Sequence, residues 1–520
     1  MDQTKPMTDS EIVDLIHSDL NDGIKFADET LSQERALALQ YYFGDLPRRL
    51  HRGSSGYRSL DVYDQVETAR SMLLEVFLGN ELPLKLTPGK NKVATAVQTA
   101  MATQYVNDVL FTTNDGEAIL DQVVFDALMA RLGAVRVDWV EESKIQQKKL
   151  SGLTMEQVNL IAQEDAVLEA EVEPAEEGDA SQEWVDLWDV TLTIETDSGA
   201  IKVSGIAPED LIVNTAAKDA YEYAIAHRLT KRMSEWIADG YDEETLKKAL
   251  TDSDRFAYEE KLIRSVSDED SHYRPSDPMV TLMDAYSFID MERDGRPRYW
   301  RVLLAGDAIL EKDQVEDHPF VIYVPIRIPH IFHGMQFTKP IIPTANAKTA
   351  LARSVIDHAM RTNNPRYTVL RGTFDSPREL LENKFGGIVN INKPDGIQPL
   401  PQAGLNPFVF ETMKLLDTDL SDTTGVSRLS QGVDKDVISK QNSQGMMQDL
   451  AQASETRLRV MARRFASGFL KELARKIYSV AVANDTQVQT CIVDGKPMDV
   501  VPSEWPPESD IRVALELSPS

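Results

Sequence analysis

The chain has 520 residues, 42% of them hydrophobic, and carries 84 acidic against 55 basic side chains for a formal net charge of -29. That length exceeds one small core, so roughly two to four domains are expected, and the acidity excludes a chain built as a whole to neutralise phosphates. No stretch approaches the roughly 18 to 20 uninterrupted apolar residues of a membrane span, and a lone Cys491 excludes an internal disulfide framework or a cysteine zinc site.

Met1 to Glu11 is polar and acidic, unlike a signal or transit peptide, and a soluble, intracellular protein is expected. The acidity itself has two readings, solubility of a large assembly or a surface that lets a polyanion slide past without sticking. Thr8 and Glu11 form a candidate capping box for a first helix. Asp61 is placed to cap another, with Val62, Val66, Ala69, Leu73 and Phe77 on one face and Gly79-Asn80 ending it. Helical patterns follow over about 92–111 and 117–130. A short strand is expected at Ala134 to Val140, where Val135, Val137 and Trp139 alternate with polar residues.

No Lys or Arg occurs between Lys149 and Lys202, and Glu164 to Glu183 is dominated by acids, so an exposed, mobile insertion is expected at about 141–183. Strands are predicted over 184–194 and 200–206, a helical piece over 234–250, then strands over 280–291, 298–304 and 320–328 with a turn at Asp294-Gly295. This is an α+β pattern with antiparallel pairing.

A helix comes next, in which Ile342, Ala345, Thr349, Ala352, Ile356 and Ala359 make a stripe of mostly small residues that lets helices approach closely. Asn363-Asn364-Pro365 ends it. The segment 366–405 is rich in Gly and Pro, with short strands expected at 367–370 and 387–391. Asn406-Pro407 opens a second helix that runs to Thr424. A polar connector, 425–445, leads to the longest expected helix, about 446–484, lined by Leu458, Met461, Phe465, Phe469, Leu473, Ile477 and Val480. Strands at 488–493 and 511–517 follow.

Chemistry-bearing motifs are scarce. The chain lacks a phosphate loop, G-x-G-x-x-G, H-E-x-x-H and G-x-S-x-G, so nothing marks an ATPase, a dinucleotide enzyme, a zinc protease or a serine hydrolase. Asp268, Glu269, Asp270 and His272 read as a solvated loop before they read as metal ligands. His330 and His333 read as packed histidines before a metal pair, and Asp61, Asp64 and Glu67 as early-turn acids. No metal, cofactor or catalytic residue is expected. Against the overall sign, Arg457, Arg459, Arg463, Arg464, Lys471, Arg475 and Lys476 face only Glu455 and Glu472. An inter-subunit surface is the favoured reading of that basic helix, with a solvated face and direct DNA contact left open.

The order of several stretches resembles the portal proteins of tailed bacteriophages, in the short-tailed (podophage) branch. These are Ser59 to Glu67 followed by Phe77-Leu78-Gly79-Asn80, Pro208 to Ile212 with Ala226-His227-Arg228, Pro319-Phe320 through Pro329 to Gly334, Asn363-Asn364-Pro365, and Gly425-Val426-Ser427. The resemblance implies a portal fold: a helical and β wing over 1–334, stem helices at 335–361 and 408–424, a small α/β clip at 362–407 and a tunnel loop at 425–445. Over 446–520 it implies the long helix toward the crown with returning strands. It implies a dodecameric ring at one capsid vertex of the virion, assembled in the host cytoplasm. Through it double-stranded DNA passes without sequence specificity during genome packaging and ejection. Implied partners are other copies of the chain, the terminase large subunit, a tail adaptor, and the major capsid and scaffolding proteins, with no membrane. Arg366, Arg371, Arg378, Lys384 and Lys393 would serve clip docking, and Arg428, Lys435 and Lys440 in the tunnel loop would meet DNA. The family branch continues past the last strands into a crown, so with Ser520 just after a strand a short crown or an incomplete sequence is expected. Two alternatives stand beside this reading: another virion adaptor, which the length disfavours, and a metal-dependent nucleic-acid-processing enzyme using Asp268 to Asp270.

Overall fold

The computed structural model describes residues 6–49, 51, 53–78, 84–89, 95–153, 167–174, 188–249, 277–373, 378, 388, 390–426, 456–493, 496–507 and 511–515. At the N-terminus the Thr8 hydroxyl accepts the Glu11 N–H while the Glu11 carboxylate accepts the Thr8 N–H, the reciprocal cap expected of α1 (Asp9–Lys25). A π-helical segment, Phe26–Leu31, joins it to α2 (Ser32–Tyr42). α3 (Asp61–Leu78), β1 (Leu84–Pro88), α4 (Ala96–Asn107) and α5 (Gly116–Ala130) follow. Val62, Val66, Ala69 and Leu73 of α3 are buried, as their spacing predicts. Asp61 departs from expectation. It is the first helical residue rather than the cap, because its carboxylate is taken by the Ser59 hydroxyl and the Lys348 ammonium.

Two antiparallel sheets carry the middle of the chain. β2 (Gly133–Leu153), β3 (Val167–Pro174) and β4 (Trp188–Ile206) join β10 (Phe320–Tyr323) in the order β10-β2-β4-β3. β5 (Leu211–Val213), β6 (Ile225–Arg232), β7 (Met279–Ile289), β8 (Arg298–Ala305) and β9 (Ala308–Val315) form a meander in sequence order. The helical piece expected after β6 is two short helices, α6 (Met233–Ala238) and α7 (Glu243–Ala249), parted at Gly240, whose φ is 98°. α1 lays Ile12, Val13, Ile16 and Leu20 on the meander against Ile212, Ala226, Ala285, Val302 and Leu304. Gly23 makes that approach possible, since a Cβ there would stand 2.5 Å from the Val213 carbonyl oxygen.

The strand expected at 134–140 is 21 residues long, and the two expected at 184–194 and 200–206 are one. β2 and β4 pair from Ala134↔Ile206 to Leu153↔Trp188, and β3 adds to β4 inside the segment expected to be a mobile acidic insertion. Hydropathy alternation marks only the start of β2, where Val135 and Val137 are buried, and Glu141 to Lys149 carries none. β10 stops at Tyr323 rather than 328 because Pro325 and Pro329 cannot extend a ladder. β9 carries no clear sequence signal, since Lys312, Asp313 and Gln314 within it are exposed and polar.

The remaining elements are α8 (Ile341–Asn363), β11 (Tyr367–Val369) paired with β12 (Ile397–Pro399), α9 (Phe408–Thr424), α10 (Thr456–Arg464), a π-helical segment Phe465–Leu470, α11 (Lys471–Asn484), the hairpin β13 (Gln489–Val493) and β14 (Lys496–Val500), and β15 (Ile511–Leu515). The long helix is thus interrupted by a π-helical segment in which Phe465 and Phe469 stack at 5.0 Å and Tyr323 stands edge-on to Phe465 at 4.7 Å. Of the seven residues expected to line it, the first six are buried and Val480 is partly so. β15 pairs with β1, bringing the C-terminal end back to the first third of the chain. The largest core collects α2–α5, α10, α11 and one face of the four-stranded sheet. Its other face shares a smaller core with the meander through Ala134, Ile206, Tyr286, Tyr299 and Phe320.

Charge is buried where the sheets meet. Asp284, fully buried on β7, accepts Arg136 at 2.6 Å and Arg301 at 2.9 Å. Burial works against the charge of Arg136, but Tyr286 and Asp284 outweigh it and hold its pKa up. Burial and the Arg136 charge press His227 down to about 4.

Candidate functional site

α8, the irregular 364–407 segment and α9 form a helical hairpin with a broad tip, held to the rest of the chain by polar contacts in register with the helix. Along α8, Asn346 accepts the Tyr41 hydroxyl at 2.8 Å and Thr349 accepts the Ser59 N–H at 3.0 Å. Arg353 donates to the carbonyls of Tyr57, Arg48 and Pro47 at 2.7, 2.9 and 2.5 Å, and Asp357 accepts the Ser55 N–H at 2.6 Å. These positions are spaced by three, four and four, so a single face of α8 takes up the 41–59 segment. Ala345, Thr349 and Ala352 of the expected stripe are buried and Ile342 and Ile356 partly so, but Ala359 is exposed. The stripe therefore packs only over the half of α8 nearest the sheets.

Lys348 joins three helices. Its ammonium contacts the carboxylate of Asp61 on α3 and that of Asp417 on α9, the latter at 2.6 Å. Burial opposes that charge, but the hydrogen bonds and fields of the two carboxylates prevail and raise its pKa. Burial and the neighbouring Asp61 push the Asp64 carboxyl up. At the end of α9 the buried Thr424 hydroxyl donates to Gln65 on α3 at 2.6 Å, and Gly425 closes the helix in the left-handed region at φ 78°. The Arg457 guanidinium of α10 donates to the Thr423 carbonyl.

The tip is bound mainly by backbone. β11 and β12 pair over three residues, and the Leu400 N–H donates to the Arg366 carbonyl at 2.6 Å. The surface of the tip and the helix ends that carry it is unusually apolar. Of 25 exposed large hydrophobic side chains among the described residues, ten lie between Met360 and Leu415, including Leu370 at 62%, Ile388 at 83%, Phe408 at 68% and Leu415 at 67%. An apolar surface of that density on one segment marks an interaction face.

Arg366, Arg371, Arg378 and Lys393 are exposed on this tip, and Lys393 donates to the Arg371 carbonyl at 3.4 Å. Lys384 lies outside the described residues, as do Arg428, Lys435 and Lys440 and the Asp268, Glu269, Asp270 and His272 run. The strand expected at 387–391 does not form at 388, 390 or 391. The seven basic residues of α10 and α11 do not share a face. Arg457, Arg459, Arg463 and Arg475 are exposed and Lys471 is half-buried. Arg464 donates to the Pro325 carbonyl at 2.7 Å, and Lys476 turns inward onto Asp317.

His330 is exposed at φ 66°, while His333 is buried between the rings of Phe26 and Phe332. Burial, with Arg35 and Arg131 nearby, presses the His333 pKa down to about 3. Of the two only His333 is packed, and no group of three or more His, Cys, Asp or Glu side chains among the described residues could hold a metal. No helix among them is long and apolar enough to cross a membrane.

The sequence reading missed Lys348, Asp417, Arg353 and Asp357. Polar residues recurring at helical spacing inside an otherwise small-residue helix were the available signal, and they point to backbone partners that hydropathy does not register. The family model described as phage SU10 portal protein matches residues 12–520. No curated protein matches the chain.

Proposed function

Since this chain belongs to the phage SU10 portal protein family, we propose that its copies close into a dodecameric ring at one capsid vertex, through which the genome is packaged and ejected. It is a phage portal protein, a structural component of the virion and not an enzyme. On this reading, 1–334 is the wing, α8 and α9 the stem that walls the channel, 362–407 the clip and 425–445 the tunnel loop, with 446–520 returning toward the crown. The clip would dock the terminase large subunit during packaging and a tail adaptor afterwards, using Arg366, Arg371, Arg378, Lys384 and Lys393. Arg428, Lys435 and Lys440 would meet phosphates in passing. The exposed arginines of α10 and α11 would face the next copy, whereas Lys476 serves its own subunit. The wing would meet the major capsid and scaffolding proteins, with assembly in the host cytoplasm. The order of motifs supports the short-tailed phage branch.

One observation carries the ring: the apolar side chains gathered between Met360 and Leu415, which a single copy leaves in water and a neighbouring copy would cover. Negative-stain microscopy of the purified chain tests it. Axial views of about twelve subunits around an open hole are expected. A monomer or dimer that persists at high concentration and across salt overturns the reading.

A further inference from the structure

Where α8 meets the tip, a cleft of about 870 Å³ opens beside the 47–48 segment. Four arginines line it, against a single carboxylate, Asp357, which is engaged by the Ser55 N–H. Arg353 is buried and held by three carbonyls. Arg48, Arg361 and Arg366 are exposed and have no acidic partner among the described residues. Leu400 and Leu405 add apolar side chains to its lining. In a chain of net charge -29, three exposed guanidinium groups lining one cleft suit an anionic partner with an apolar shoulder.

The contact between Lys348 and Asp417 sets the two antiparallel helices level at that point. Six residues toward the tip, about 9 Å along each helix, Glu411 on α9 stands level with Ser354, which lines the cleft. Phe408 and Phe410, 68% and 57% exposed, flank Glu411. Glu411 is itself exposed, with no basic partner among the described residues. Asp419 and Asp422, the other exposed acids of α9, lie on the far side of Lys348 at or beyond the opposite end of the cleft. In a ring whose axis runs along these helices, rotation carries each residue to the same height in the next copy.

We propose that this cleft seats the α9 of the next copy, with Glu411 bound by Arg48, Arg361 and Arg366 while Phe408 and Phe410 cover Leu400 and Leu405. The inference rests on the ring reading and gives the ring a directional seam, basic cleft on one side and acid-aromatic ridge on the other. Such a contact is heterologous, and heterologous contacts close into rings.

Two variants of the full chain test it by complementation. Arg361→Glu with Arg366→Glu makes the cleft acidic, and Glu411→Arg makes the ridge basic. Each alone is expected to lower the ring fraction seen by mass photometry at least tenfold at the concentration where wild type assembles, because each seam then opposes like charges. An equimolar mixture is expected to restore rings to within about twofold, since alternating copies match every cleft to a ridge. Restoration also proves that both variants fold. Full ring formation by either variant alone overturns the seam, and so does a mixture that stays unassembled while both variants keep the wild-type melting temperature. Intact rings with weakened DNA binding in the arginine variant would assign the cleft to phosphates instead, overturning the proposal. A wild-type chain that forms no ring overturns the ring reading itself.

Discussion

The two-sheet region and the helical hairpin treat their own surfaces in opposite ways. Between Gly133 and Tyr323, charges at the sheet junction are matched within one copy: Asp284 is fully buried yet holds two arginines, and Arg228 meets Asp28 at 3.0 Å. Between Met360 and Leu415 the same chain leaves large apolar side chains in water and two arginines of the cleft, Arg361 and Arg366, unmatched. A region that closes its own accounts folds as a unit, whereas one that leaves apolar area and charge open is completed from outside. The two meet at α8, which is tied to α3 and the 41–59 segment as far as Asp357 and is exposed from Ala359 onward.

The contrast breaks most severely if the sheet junction proves expendable. Asp284→Ala leaves Arg136 and Arg301 without the buried carboxylate between them, and breaking a buried pair this way costs about 3–5 kcal/mol. An unfolding free energy, measured by urea titration, lowered by less than about 1 kcal/mol would mean that solvent reaches the junction. Lys348→Met comes next. It leaves Asp61 and Asp417 facing each other without the intervening ammonium, and because the site is only partly enclosed a loss of about 1–3 kcal/mol is expected. The sign of the pH effect follows from the raised Lys348 pKa. Its contribution is fully present below the ordinary lysine value and disappears as pH climbs through the higher folded-state value, so the wild type should approach Lys348→Met only in strong alkali. Melting curves of both proteins across alkaline pH measure this.

These two sites also mark how far the sequence could be read. The α+β pattern, the capping box at Thr8, the limits of α9 and the buried row from Leu458 to Ile477 follow from periodicity, because burial of one face imposes it. The ladder between β2 and β4 beyond Val140 and Ala200 is only half legible: Val190, Leu192 and Ile194 alternate on β4, but Glu141 to Lys149 of β2 shows no such pattern. Lys348, Arg353 and Asp357 escaped because their partners are an Asp 287 positions away and backbone groups about 300 positions away. Spacing along one helix reveals that a face is polar, not what it meets. Among the expected basic residues, Lys476 has a partner that the sequence hides for the same reason: Asp317 is 159 positions distant.

A milder perturbation sharpens the contrast through acid. His227 and His333 are buried in the sheet region and its border with the N-terminal helices, with pKa values pressed down to about 4 and about 3. A depressed histidine is neutral in the fold and charges more readily when unfolded, so stability is retained above the ordinary histidine value near 6.5 and falls as pH drops below it. Each such histidine steepens the fall by about 1.4 kcal/mol per pH unit across that window. His333→Phe, which keeps a ring between Phe26 and Phe332, should flatten the melting temperature between pH 6.5 and 4.5 relative to wild type. An unchanged slope would mean that His333 is solvated in the folded state.

The smallest expected effect on the single copy is the most telling for the hairpin. Leu415 is 67% exposed on α9, so Leu415→Ser removes almost no buried area within its own chain and should change unfolding free energy by no more than about 0.5 kcal/mol. If the apolar tip is an unfinished interface, the same substitution raises the concentration needed for assembly, because the area that Leu415 would bury lies on the next copy. Mass photometry across a dilution series, set beside the melting temperature of the dilute chain, separates the two quantities. A lower melting temperature with unaltered assembly would place Leu415 against its own subunit and erase the distinction between the two regions. An unaltered melting temperature with weakened assembly is the behaviour of a surface whose core is supplied by its neighbour.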